Sequence, residues 1–262
     1  MRPAAFGTAS GVERSLSRVG SVAWLSWRCM RQAFALRRTQ LPVLAELIRN
    51  QVRFTALDAL PLVALTAILL GGVILLQVLH TLSGLVSEAF LSRLVTLLVV
   101  RELGPILVAV LAISRSGTAI AAEMAASKLE REVDTLYVVG IDPIAYLLLP
   151  RIVGGVISLF TLIVLFDVVA LVGGFVVASV VSPFSFRLYL GALESAVGPA
   201  ELVATLLKAV AFGAAIPLIC AHGGLRVRTS PTEIPRAVTR ATVDSVITVF
   251  LLSALISLVC HV

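Results

Sequence analysis

The sequence is poor in charge. Asp, Glu, Lys and Arg make up 14% of its 262 residues, where about 25% is usual in a soluble domain. Hydrophobic residues make up 59% and the mean hydropathy is +1.04. Too few polar side chains remain to clothe a water-soluble globule of this length. The same balance excludes a disordered chain. Cysteine is scarce too: Cys29, Cys220 and Cys260 are an odd number and two of them lie in apolar runs, which excludes a disulfide scaffold. There is no Gly-x-x-x-x-Gly-Lys-[Ser/Thr] loop to cradle a nucleotide and no His-Glu-x-x-His pair to hold a catalytic metal. His80, His222 and His261 are scattered along the chain, and Cys220 has no His-Asp constellation, so an enzyme acting on lipid finds no machinery. What is abundant is long apolar runs, and they specify an all-α integral membrane protein.

The net charge is +6 and the pI about 9.9. No nucleic-acid motif accompanies that charge, and its distribution fits a membrane topology instead. Five apolar stretches reach spanning length, roughly 57–79, 94–114, 147–181, 202–221 and 242–262. The third is long for one crossing and short for two. Four basic residues precede its core (Arg115, Lys128, Arg131, Arg151) and four come after the next stretch (Arg226, Arg228, Arg236, Arg240). If both groups are cytoplasmic, an even number of crossings separates them, so 147–181 crosses once, as a long, tilted or broken helix loosened at Gly154-Gly155 and Gly173-Gly174. Five crossings then run from a cytoplasmic N-terminus to an outer C-terminus, with seventeen of the 21 basic residues inside.

Residues 1–53 read as a basic tail and an interfacial helix, with the transmembrane domain over 54–262. Trp24, Trp27 and Phe34 recur at helical spacing with Arg28, Arg31 and Arg38 on other faces, the pattern of an amphipathic helix at the inner membrane surface.

Only 12 uncharged residues lie between Glu102 and Arg115, too few to span, so Arg101 and Glu102 ride in the outer part of the second helix or beyond. Asp167 falls near the middle of the third stretch and Lys208 within the fourth. Each such charge costs about 2.5–3.5 kcal/mol near the centre of a membrane helix, so partners or a wet cavity are required. Arg101, Glu102, Asp167 and Lys208 sum to zero; they form either a polar set facing a pathway or a plain packing ion pair. Gly104-Pro105 comes at once after them and predicts a kink or a fresh helix start.

The inside loop between the second and third crossings carries Leu129, Val133, Leu136 and Tyr137 at i, i+4, i+7 and i+8, one helical face, with Lys128, Arg131 and Asp134 on another. Gly140 suits a helix stop and Asp142-Pro143 a new start. The spacing predicts a short amphipathic helix, either padding at the membrane surface or a lever for a cytoplasmic partner.

These residues carry a resemblance. Arg101-Glu-Leu-Gly-Pro105, Ser114-Arg-Ser-Gly-Thr-Ala-Ile-Ala-Ala-Glu123, Glu132-Val-Asp-Thr-Leu136, Val139-Gly-Ile-Asp-Pro143 and Pro150-Arg151 resemble the MlaE permease family, and the likeness extends over about residues 45–262. Members are membrane subunits of ABC transporters that move phospholipid or related lipids across the Gram-negative envelope. The resemblance implies a homodimeric, non-catalytic permease in the bacterial inner membrane, with a coupling helix at Glu123–Val139 (Glu123, Leu129, Val133, Asp134, Leu136, Tyr137) docking on a separate ATPase. ATP and Mg would sit on that partner, and no cofactor or metal on this chain. It also implies a periplasmic MCE-domain lipid carrier, in some members a STAS-domain subunit, and a lipid cavity lined by Leu76, Leu79, Glu102 and Leu103. The chain departs from the family at Leu75–His80, at Ser114, at Met124-Ala125 and at Pro231–Pro235, where glycine or other residues are usual. The competing reading is an ion-coupled secondary carrier using Asp167 and Glu102, whose usual inverted repeats are absent from the sequence.

Overall fold

A computed structural model describes residues 41–82, 97–140, 142–181, 186–196, 198–227 and 230–260. The expected interfacial helix around Trp24, Trp27 and Phe34 lies outside them. Every regular element among the described residues is helical. In chain order these are α1 (Leu41–Val52), α2 (Leu60–Leu82), α3 (Gly104–Ala112), α4 (Thr118–Leu129), α5 (Glu132–Val138), α6 (Leu149–Val181), α7 (Phe186–Ala196), α8 (Pro199–Gly224) and α9 (Ile234–Val259). Five helical runs are long and apolar enough to cross a membrane: Leu44–Gln77, Leu98–Leu129, Tyr146–Val177, Pro199–Gly224 and Pro231–Val259. Five helical runs of spanning length are therefore present, as expected, and the third stretch forms a single one of them.

The first three runs are stitched together by π-helical turns at Arg53–Leu57, Leu98–Leu103, Ile113–Gly117 and Ile144–Leu148. A π turn widens the helix by one residue and re-aims the next helical segment. The expected boundary between residues 53 and 54 falls inside the first of these turns, in a helical run that continues from α1 toward α2.

Inside a bilayer, helices gain little by leaving lipid for one another, so close van der Waals approach decides the packing. α6 is the spine: it lies against α1, α2, α3 and α8, while α9 packs on α8 and α4. Its buried face is Leu159, Leu162, Ile163, Phe166 and Ala170, spaced at i, i+3, i+4, i+7 and i+11. Ile157, Phe160, Val164, Val168, Val172 and Val176 lie exposed on its other side, apolar all round as a membrane helix must be.

The glycine pairs of α6 do not loosen it, contrary to the sequence expectation; α6 is one unbroken helix of 33 residues. They are contact points instead. A Cβ at Gly155 would stand 2.6 Å from the carbonyl oxygen of Gly213 in α8, and one at Gly174 would stand 2.9 Å from that of Gly71 in α2. Pro217 lacks the N–H that would bond the Gly213 carbonyl, which is why that oxygen is available to face Gly155.

Two features differ from the sequence reading. The stretch read as one helix, Glu123–Val139, is two: α4 prolongs the second crossing, a corner comes at Glu130-Arg131, and α5 begins at Glu132. Arg131 makes the corner with φ of 59°, a left-handed conformation that costs a side-chain-bearing residue about 1–2 kcal/mol. The break rotates the expected face: Leu129, Val133 and Leu136 are half-buried, whereas Tyr137 is 55% and Val138 88% exposed. The second feature is α7, an amphipathic helix between the third and fourth crossings that hydropathy alone does not mark. Its Tyr189 is buried, donates its hydroxyl to the Leu171 carbonyl at 3.0 Å and lies against the Phe175 ring. Burial pushes the Tyr189 phenol up to about 12, so it stays a donor at any physiological pH.

Candidate functional site

Three of the four intramembrane charges meet. Arg101 and Glu102 sit on the π turn Leu98–Leu103, and Lys208 reaches them from α8. The reason lies in Pro105. Four residues after Arg101, it has no N–H to give the Arg101 carbonyl, so that oxygen lacks its α-helical donor. The Lys208 ammonium fills the vacancy, donating to the Arg101 carbonyl at 2.5 Å and to Glu102 Oε2 at 2.9 Å. Gly104 N–H bonds back to Val99, which closes the π turn and sets the glutamate on the α8 side.

Two further residues complete the cluster. Ser257, near the end of α9, donates to Glu102 Oε1 at 2.6 Å. Glu201, in the first turn of α8, caps that helix by accepting from Gly198 N–H at 3.1 Å, and its other oxygen lies 4.0 Å from Arg101 Nη1. Arg101 Nε is 3.8 Å from Glu102, and neither Nε nor Nη2 finds a hydrogen-bond acceptor among the described residues although both are buried. The neutral set is thus Arg101, Glu102, Glu201 and Lys208. Lys208 is wholly buried, whereas the Glu102 side chain keeps 33% of its exposure and forms the open edge of the cluster.

Asp167 stands apart. It is 8% exposed, and among the described residues it makes no ion pair and its Oδ1 has no hydrogen-bond partner. That oxygen points at Gly104, 2.3 Å from where a Cβ would be, so a side chain there would have to push the Asp167 carboxyl aside. Sequence reasoning groups Asp167 with the others by charge arithmetic; Glu201 takes the place assigned to it.

Of the other expected lining residues, Leu76 is half-buried on α2 and Leu103 half-buried beside Glu102. Leu79 lies near the end of α2, its side chain outside the described set. At the opposite end of the crossings, Arg115 bonds the Asp58 carbonyl and lies 3.8 Å from its carboxylate, tying the first run to the second. Glu123 pairs with Arg151 at 2.7 Å, and Lys128 with Asp134 of α5 at 3.4 Å. Glu123 therefore belongs to the foot of the second crossing and not to α5.

This arrangement of five spanning-length helical runs, a charged π turn and a bent α4–α5 corner runs through a stretch that one family profile covers almost end to end: the permease MlaE, over residues 48–259. The chain belongs to the MlaE permease family. Among its relatives is a probable ABC transporter permease protein of Rickettsia prowazekii, 32% identical over 216 residues, 82% of this chain and 83% of that one. The intermembrane phospholipid transport system permease protein MlaE of Haemophilus influenzae is 28% identical over 214 residues, 80% of this chain and 82% of that one. A chloroplast protein of Arabidopsis thaliana, trigalactosyldiacylglycerol 1, is 25% identical over 208 residues, 79% of this chain and 59% of that one. This MlaE-family chain is thus a multi-pass permease of the ABC-transporter type.

Within the MlaE-family chain, sequence reasoning missed Glu201 and Ser257. Glu201 carried a usable signal: it lies three residues after Gly198 at the head of an apolar run, the spacing of a helix-capping acid, and seven residues before Lys208 on the same helix face. Ser257 carried none, being one serine in an apolar run.

Proposed function

We propose that this chain is the permease of an ABC transporter that moves phospholipid, or a related lipid, between the inner membrane and a periplasmic MCE-domain carrier. The observation that carries the reading is the family match across 48–259, which takes in the charged π turn, the α5 corner and all five crossings. The name of the Haemophilus relative supplies the phospholipid. Two copies would enclose an outward-opening cavity walled by aliphatic side chains, with Leu76, Leu79, Glu102 and Leu103 at its lining. A cytoplasmic ATPase, carrying ATP and Mg, would dock at α5, and a STAS-domain subunit would join it on the same side. The basic residues of the α4–α5 corner and of 226–240 favour a cytoplasmic N-terminus and a periplasmic C-terminus, which would set the Lys208 cluster toward the periplasm.

Nucleotide is needed because lifting an acyl chain out of its apolar surroundings costs about 0.8 kcal/mol for every CH₂ exposed to water. ATP-driven movement of α5 would narrow the cavity and hand the lipid across the open edge at Glu102.

Native mass spectrometry of the gently extracted chain tests the reading. Two copies with two ATPase subunits and bound lipid are the expected result, and the lipid mass names the cargo. A chain that arrives alone in several mild detergents sinks the ABC reading in favour of an ion-coupled carrier, for which Asp167 is the first residue to replace. Replacing Tyr137 and Val138 together by serine is expected to lower ATPase co-purification by about tenfold, the loss of one modest interface anchor, while the dimer stays intact.

A further inference from the structure

α5 is held by two arms. One runs back through the Glu130-Arg131 corner into α4, and the other runs on through Val139–Pro143 into the π turn Ile144–Leu148 at the foot of α6. The arms meet at Arg151. Its guanidinium donates from Nη1 to the Leu147 carbonyl, inside that π turn, and its Nη2 forms an ion pair with Glu123 of α4 at 2.7 Å. Arg151 is 11% exposed at the side chain, whereas Glu123 is 61% exposed. The buried partner is thus the cation, fixed on its own helix, and the carboxylate comes to it. Arg151 Nε is buried and finds no acceptor among the described residues, which leaves the Leu147 carbonyl and Glu123 as its polar contacts there. The Lys128–Asp134 pair, between two side chains that are 37% and 60% exposed, braces the corner itself much more weakly.

We infer that Arg151 is a positioning residue: through Glu123 and the Leu147 carbonyl it locks the α4 and α6 arms together, so that a load on α5 reaches the second and third crossings at once. A planar guanidinium suits the task because its donors diverge to two acceptors with fixed geometry, which an ammonium on a flexible stem does not do. The inference rests on the docking of an ATPase at α5 proposed above.

The test uses the complete permease–ATPase complex in liposomes and reads lipid moved per ATP hydrolysed. Arg151→Gln is expected to keep ATPase co-purification and hydrolysis close to wild type and to lower that ratio about tenfold, within the usual 5–150-fold reach of coupling between sites. An unchanged ratio in folded Arg151→Gln overturns the inference. Should that variant fail to fold, Glu123→Cys with Arg151→Cys, with Cys29, Cys220 and Cys260 replaced by serine, is bridged by a short bis-maleimide. Bridging is expected to restore the ratio; a bridged, ATPase-bound complex that hydrolyses ATP without moving lipid overturns it. A wild-type chain that holds no ATPase would fail the proposed function itself, whereas a defect confined to the variants bears on Arg151.

Discussion

Glu102→Gln is expected to remove about 3–5 kcal/mol of stability, the usual cost of stripping a buried charge of its countercharge. Lys208 would remain wholly buried with only the Arg101 carbonyl and a neutral amide for company. For a chain of this size the loss corresponds to a fall in Tm of about 10 °C, measured by thermal unfolding in lipid nanodiscs. Lys208→Met is expected to cost less, because the Glu102 it abandons is 33% exposed and keeps the Ser257 hydroxyl. The double replacement, Glu102→Leu with Lys208→Met, should be milder than Glu102→Gln alone, since no unpaired charge is left inside. Transport decides what the cluster is for. A double variant with restored Tm and lost lipid movement means that the charges serve the pathway; restored transport means that they only pack the helices. Glu102→Gln with wild-type Tm and wild-type transport would sink both views.

The second large effect contrasts one substitution at two glycines. A Cβ on Gly71 would lie 2.2 Å from the carbonyl oxygen of Ala170 and 2.8 Å from its carbon, both backbone atoms of the α6 spine. No side chain can swing aside to relieve that contact, so α2 and α6 must part. Gly71→Ala is therefore expected to cost about 2–3 kcal/mol, in the range of an overpacked core. At Gly191, on α7, a Cβ would meet nothing within 4 Å. Gly191→Ala is expected to stabilise by about 0.5–1 kcal/mol, the helix-propensity gain. Unfolding of the two purified variants side by side checks the contrast, and equal shifts would mean that α2 and α6 do not approach as described.

The sequence made the crossings legible because the bilayer imposes one requirement that composition satisfies directly: about 20 apolar residues in a row. Charge parity then resolved 147–181 as one crossing, which α6 bears out. Helix ends were less legible. The first run starts at Leu44 where hydropathy suggested 57, and the last at Pro231 where it suggested 242. Hydropathy marks where lipid begins, while hydrogen bonding carries a helix on into the interface. The charge cluster was half legible. That Arg101, Glu102 and Lys208 needed partners followed from their cost in lipid, but which carboxylate completed the set depended on the π turn, whose extra residue no periodicity announces. The α5 corner was hidden for a related reason: Arg131 holds a conformation usually reserved for glycine, so nothing in its residue type signals the break.

The pairing of Lys208 with Glu102 also bears on how the chain is made. The two residues are 106 apart, so at about 5–20 residues per second of synthesis the glutamate waits some seconds for its lysine. Neither helix enters the membrane with a net charge from this set, however. The second crossing carries Arg101 beside Glu102, and the fourth carries Glu201 and Lys208 two turns apart. Each segment can thus be released into lipid as a neutral unit, its charges provisionally matched within itself. Assembly adds partners across the helices: Lys208 turns to Glu102, while Arg101 stays 3.8 Å from Glu102 and comes within 4.0 Å of Glu201. The Lys208–Glu102 bond is then the contact that joins the early half of the protein to the late half.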